Sequence, residues 1–204
     1  DIFDEPSNEE GAKLYGGSGS DHIIGSNRND FISGDLDTQE VHVDKDAGND
    51  LIFGLGGMDT IHGDKGNDII YGDGNTVGQN LGQVKESLHG NDTLYGDGGN
   101  DSIYGGWAKK TVNNNTVTIE GGTFQKNIYG GYATEANGTT TGNTVNVRAN
   151  AAAVTGGRST GDASGNIVNL ANATVSAVTG GEGAATNNNT VNLNGGANIT
   201  GVLK

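Results

Sequence analysis

The residues whose spacing could do chemistry here are aspartates. Asp21 and Asp30 stand nine residues apart, as do Asp50 and Asp59, Asp59 and Asp68, and Asp92 and Asp101. Two residues after each comes a bulky aliphatic: Ile23, Ile32, Ile52, Ile61, Ile70, Leu94 and Ile103. Carboxylates repeated at a fixed period beside a repeated core residue bind cations; they do not make a single catalytic centre. The chain has no Gly-x-Ser-x-Gly elbow, no His-Glu-x-x-His and no Walker sequence. No cysteine is present, so thiolate metal sites and disulfides are excluded.

In register, the unit is nine residues long. Gly16-Gly17-Ser18-Gly19-Ser20-Asp21-His22-Ile23-Ile24 runs directly into Gly25-Ser26-Asn27-Arg28-Asn29-Asp30-Phe31-Ile32-Ser33. The repeats that open at Gly54, Gly63 and Gly96 follow the same pattern. Two repeats are split. Gly34-Asp35 resumes at Ala47 after residues 36–46, and Gly72-Asp73 resumes at His89 after residues 74–88. Glycine comes first, aspartate sixth and the aliphatic eighth, and Leu14 extends the aliphatic column upstream.

Six residues of Gly, Asn and Asp make a turn with positions at positive φ. Three residues then make a short strand whose eighth position points inward and whose neighbours point outward. One aliphatic per nine residues cannot build a globular core, but stacked turns align these residues in a ladder. With two repeats per turn of a flattened coil, the loops alternate between two edges. Asp21, Asp50, Asp68 and Asp101 fall on one edge, and Asp30, Asp59 and Asp92 on the other. Neighbouring loops on an edge lie about 4.8 Å apart, so their carboxylates repel unless a cation lies between them. Exposed loop carbonyls beside carboxylates form an all-oxygen, many-ligand cage, which selects calcium.

These residues resemble the repeats-in-toxin (RTX) nonapeptide G-G-x-G-x-D-x-U-x, a motif of calcium-binding β-solenoids. The resemblance covers about residues 14–106. It implies a right-handed parallel β-roll, disordered without calcium and folding after secretion. Carried over residue by residue, it places calcium at Asp21, Asp30, Asp50, Asp59, Asp68, Asp92 and Asp101. It also places calcium at the loop backbone of Gly17, Gly19, Gly48, Gly57, Gly66, Gly90 and Gly99, with about five ions between stacked pairs. Arg28 replaces the fourth-position glycine and puts the loop of Asp30 in question. The two insertions raise the same question for Asp50 and Asp92.

The remaining acids and histidines read more plainly. Asp35, Asp64, Asp73 and Asp97, at second positions, read as solvated turn residues. His22 and His62 fall at outward positions. His42 lies among Asp37, Glu40, Asp44 and Asp46 in the first insertion, which reads as a solvated acidic loop. The acids of the second half are Glu120, Glu135, Asp162 and Glu182. Their places in the rungs do not coincide, so no paired-carboxylate site follows.

Composition sets the frame for these elements. Glycine supplies 38 of 204 residues, hydrophobic residues are 32%, and the net charge is -14. So thin an apolar content argues for an elongated fold rather than a two-layer core. Residues 1–104 hold 21 Asp and Glu against 5 Lys and Arg, while residues 105–204 hold 4 against 6. The acidic half would repel nucleic acid. No apolar run is long enough to span a membrane. Beginning at Asp1 rather than Met, the chain reads as a processed product or an excised fragment.

After Tyr104 a longer period takes over. Ile103-Tyr104-Gly105-Gly106 recurs as Ile128-Tyr129-Gly130-Gly131, Val154-Thr155-Gly156-Gly157 and Val178-Thr179-Gly180-Gly181. Between these lie alternating strands that begin at Asn115, Asn143, Asn166 and Asn189, with Val117/Ile119, Val145/Val147, Val168/Leu170 and Val191/Leu193 on one face. The four asparagines are expected to stack as an amide ladder. The pattern loosely resembles the solenoids of bacterial autotransporter passengers and adhesins.

The sequence thus predicts an all-β protein, one continuous parallel solenoid. Residues 1–104 form the calcium roll and residues 105–204 an Asn/Thr/Gly-rich solenoid with longer rungs. The expected function is the calcium-binding structural or adhesive region of a secreted or surface-exposed bacterial protein, without catalysis of its own. Its partners would be calcium and a host-surface or glycan ligand. The alternatives are the non-catalytic tail of a secreted exoenzyme or toxin and an ice-binding solenoid, the latter for its outward Thr and Asn pairs.

Overall fold

The computed structural model describes residues 10–38, 41–42, 48–74, 88–119 and 123–204. Among these, every regular element is a strand. Two parallel sheets of eight strands each carry the fold.

The first sheet is built, in order, from Glu10–Tyr15, Asn29–Ser33, Thr60–His62, Thr93–Tyr95, Thr116–Ile119, Thr144–Val147, Ile167–Ala171 and Thr190–Asn194. The second is built from His22–Ile24, Leu51–Leu55, Ile69–Asp73, Ser102–Ala108, Thr123–Ala133, Asn150–Arg158, Thr174–Glu182 and Asn198–Leu203. Strands alternate between the sheets along the chain, so each pair of strands is one turn of a coil.

Register follows the eighth-position column. Ile32 pairs with Ile61 and Ile61 with Leu94. Ile23 pairs with Ile52, Ile52 with Ile70, and Ile70 with Ile103. Each of these side chains is buried, in one apolar cluster that runs on through Val117, Ile128, Val145, Val154, Val168 and Val178. A ladder of this kind removes roughly 1.5–3 kcal/mol worth of apolar surface per buried aliphatic side chain. Continuity along the axis, not thickness, makes the core.

The change of period does not interrupt the coil. Ile103 pairs with Ile70 on one side and with Ile128 on the other. In the first sheet, Leu94 pairs with Ile61 and with Val117. The longer rungs spend their extra residues on a third short side, where Thr111–Asn113 pairs with Thr139–Thr141. There Val112 is fully buried with Ala108 and Ala133.

The outer face of the second sheet departs from the expectation that residues flanking the eighth position meet solvent. Phe53, Tyr71, Tyr104 and Tyr129 stack ring on ring, with centroids 5.0, 4.8 and 5.4 Å apart. Trp107 and Tyr132 pack edge-on beside them. Phe53 is 0% exposed. Ring stacking along the rungs buries apolar area that alternation alone assigns to water.

Within the first insertion, Leu36–Thr38 pairs antiparallel with Val41–His42. The side chains of that acidic insertion, His42 among them, lie outside the described residues, as do residues 75–87. No helix among the described residues is long and apolar enough to cross a membrane.

Candidate metal centre

The sixth-position aspartates form two columns, one on each edge. On the first edge the Asp21 N–H donates to Asp50 Oδ1 at 2.9 Å, Asp50 to Asp68 at 2.8 Å and Asp68 to Asp101 at 2.8 Å. On the second edge Asp30 donates to Asp59 Oδ1 at 2.9 Å and Asp59 to Asp92 at 3.0 Å. The insertions leave this ladder intact: Asp50 and Asp92 hold their places as regularly as Asp68.

One carboxylate oxygen is thus committed to the backbone of the turn below. The other is not. Oδ2 of Asp21, Asp50, Asp59, Asp68 and Asp101 is buried with no hydrogen-bond partner. Asp50, Asp59, Asp68 and Asp101 are themselves almost fully buried. A buried carboxylate oxygen without a donor costs about 1–3 kcal/mol or more. Four of the five lie on the first edge and one on the second, and a cation is a partner that would relieve each of them.

The glycines make room for these oxygens. A Cβ on Gly63 would lie 2.5 Å from Asp68 Oδ2, and one on Gly96 would lie 2.6 Å from Asp101 Oδ2. At the fourth position, Gly19, Gly57, Gly66 and Gly99 have φ of 101, 106, 138 and 146°, and Gly17 at the second has 90°. Gly48 and Gly90 lie in the same fourth-position columns. A Cβ on either would collide with the carbonyl oxygen of the glycine below, Gly19 or Gly57. Carbonyl oxygens and carboxylates therefore line the same edges, a donor set of oxygen alone that fits calcium.

Electrostatics say the same. Burial, and after it the neighbouring carboxylates, pushes the Asp68 carboxyl up to about 8 and Asp50 to about 6. Burial also raises Asp101 to about 6. Asp59, Asp73 and Asp92, which face one another, are driven upward by burial and, for Asp59 and Asp73, by mutual repulsion as well. Without a cation, these sites resist ionisation.

Two sixth-position aspartates differ. Asp30 Oδ2 accepts from the Ser26 N–H at 2.6 Å and its Oδ1 from Ala12 at 2.6 Å. This is the loop in which Arg28 replaces glycine, and there the Ser26 N–H and hydroxyl both donate to the carboxylate. Asp92 Oδ2 faces the Asn115 amide at 3.2 Å.

Two of the four second-position acids, Asp35 and Asp73, correct the sequence reading: they are not solvated, whereas Asp64 and Asp97 are half-buried. Asp35 is 6% exposed and Asp73 0%. Asp35 Oδ1 accepts from the Gly48 N–H at 3.0 Å, and Asp73 Oδ1 from Gly90 at 3.0 Å. Each carboxylate clasps the two ends of its split repeat, so the loop closes as though the insertion were absent. Asp64 accepts from Ser33 Oγ and from the Asp35 N–H. His22 is exposed, but His62 is held against Asp97 at 2.9 Å. His89 is buried beside Asp73 at 4.0 Å.

Sequence reasoning also missed the fifth position. Asn49 Oδ1 accepts from the Asn67 N–H at 2.7 Å, and Asn67 Oδ1 from Asn100 at 3.0 Å, a second ladder beside the aspartates. The recurrence of asparagine before aspartate was the available signal.

No curated protein and no solved structure matches the chain. The family model of the RTX calcium-binding nonapeptide repeat, built of four copies, matches residues 15–38, 46–76 and 90–108. These matched segments are RTX calcium-binding nonapeptide repeats, and the described residues among them wind as a β-roll.

Proposed function

We propose that calcium is the folding switch of this chain, and that the switch operates outside the cell, in a secreted or surface-exposed RTX protein. The observation that carries the reading is the set of buried Oδ2 atoms without donors on Asp21, Asp50, Asp59, Asp68 and Asp101. Ions would be held between Asp21 and Asp50, Asp50 and Asp68, and Asp68 and Asp101, with loop carbonyls completing the oxygen shell. When bound, calcium neutralises charge; the protein's part is to fix the carboxylates one rung apart. The second edge would bind less well, because Asp30 and Asp92 already have donors. About five ions remains the expected number, with the first edge filling first.

Extracellular modules bind calcium in the millimolar range, far above cytosolic levels. Inside the cell the roll would stay unfolded under its own repulsion. The second half, residues 105–204, is the structural or adhesive extension that the folded roll supports. The stacked aromatic face around Tyr104, Trp107 and Tyr132 supports a role in contact with a glycan or host surface. Circular dichroism in chelator and in millimolar calcium tests the switch. Coil in chelator and β-structure with calcium are expected; a full β signal in chelator would refute it.

A further inference from the structure

Beside the first-edge aspartate column stands a second cluster. His62, Asp64 and Asp97 each bring one ligand atom within 4.8 Å of the other two. His62 ends the strand Thr60–His62, and Asp64 is the second residue of the loop that follows. Asp97 holds the equivalent loop place one turn on, because Tyr95 pairs with His62.

The three groups are held in place from outside. The Tyr95 ring stacks on the imidazole of His62 at 4.3 Å and 10°. Phe31 packs on it at 5.9 Å. That leaves Nδ1 facing Asp97 Oδ2 at 2.9 Å. Asp64 is anchored by Ser33 Oγ and the Asp35 N–H. Orientation is therefore fixed before any ligand arrives.

A protonated histidine would match the charge of only one of the two carboxylates in the cluster. A divalent cation matches both carboxylates and takes the imidazole nitrogen as well. That nitrogen is what separates this cluster from the calcium columns, whose donors are all oxygen. Imidazole directs selection toward zinc and related transition ions. Three protein ligands with an open side are the usual set of a zinc site that keeps a water. The His62 and Asp97 side chains are 30% and 33% exposed, so an ion reaches them without opening the fold.

We propose that His62, Asp64 and Asp97 form a second metal site, for a zinc-class divalent ion, distinct from the calcium columns. It rests on the roll reading, since only the folded roll brings Asp97 over His62. The test is zinc chloride added to the calcium-saturated full chain, followed by calorimetry and by the imidazole NMR signals of the four histidines. One ion should bind, and the His62 signals should shift. His62→Gln and Asp97→Asn should each weaken zinc at least about tenfold, while His22→Gln should not. If a variant fails to fold, the imidazole spectrum of the unaltered chain decides. His62 signals unmoved at millimolar zinc, or a His62→Gln chain that binds zinc as before, would overturn the site. Circular dichroism of the same samples separates the two readings. A chain without a calcium-induced β signal overturns the roll and this site together; one with that signal but silent His62 overturns the site alone.

Discussion

Asn115 stands one rung beyond Asp92 in the same column. The Thr116 N–H donates to the Asp92 carbonyl at 3.2 Å. With its amide nitrogen turned toward the acceptors around it, Asn115 reaches Asp92 Oδ2 at 3.2 Å, Asp73 Oδ2 at 2.9 Å and the Gly90 carbonyl at 2.8 Å. From here the column is asparagine. The Asn115 N–H donates to Asn143 Oδ1 at 3.0 Å, Asn143 to Asn166 at 3.1 Å and Asn166 to Asn189 at 2.8 Å. This is the link that joins Asp30, Asp59 and Asp92. Where an aspartate leaves Oδ2 bare, an asparagine donates to a backbone carbonyl: Asn143 to Val112, Asn166 to Thr140, Asn189 to Ala163. The amide hydrogens do in the second half what, in the proposed reading, calcium does in the first.

That equivalence predicts the effect of exchanging the two residue types. Asp59→Asn should remove a buried acidic group and stabilise the roll in chelator, while weakening calcium on the second edge. Asn143→Asp should place an uncompensated carboxylate in the neutral half and destabilise it by about 1–3 kcal/mol. Thermal melts in chelator and calcium measure both. An Asn143→Asp chain as stable as the unaltered one would show that the columns are not equivalent.

Position in the column should set the cost of losing an aspartate. Asp68 accepts from Asp50 and donates to Asp101, whereas Asp21 has one neighbour in its column. Asp68→Ala should therefore disturb two inter-rung sites and Asp21→Ala one. A calcium titration followed by circular dichroism should show the larger midpoint shift for Asp68→Ala. Equal shifts would contradict ions held between rungs.

Acid should partly replace calcium. Asp68 is raised from an ordinary 3.8 to about 8, and Asp50 and Asp101 to about 6. A carboxyl whose folded pKa lies above its unfolded one favours folding while both states are protonated. That contribution is complete below about 4 and is lost as pH rises through 6 to 8. In chelator, β-structure should therefore grow on acidification from pH 8 toward 4. With calcium the trend reverses, because binding needs ionised carboxylates. Chelated chains that give one spectrum at both pH values would remove this account.

Folding should spread from the roll outward. Val117 pairs with Leu94, the last eighth-position residue of the nonapeptide series on the first sheet. Asp101→Ala should lower hydrogen-exchange protection at Val117 and Ile119 more than at Val168 and Leu170, which lie farther along the coil. Equal protection at both places, with the roll visibly loosened, would make the halves independent folding units.

The eighth-position column, the two aspartate edges and the passage through Ile103 were legible from spacing alone. A nine-residue unit that buries one aliphatic can stack only in register, so periodicity fixes which residues share an edge. The second-position acids were not legible. Asp35 and Asp73 read as turn residues because their partners, the Gly48 and Gly90 N–H groups, lie beyond the insertions in sequence and beside them in space. The buried rings of Phe53 and Tyr71 were assigned to solvent by alternation, which knows nothing of the ring one rung above. His62, Asp64 and Asp97 span 35 residues and meet only because two turns stack. The continuation of the aspartate column by Asn115 was hidden for a related reason. The two halves have different sequence periods, and only strand pairing places a residue of one period on top of a residue of the other.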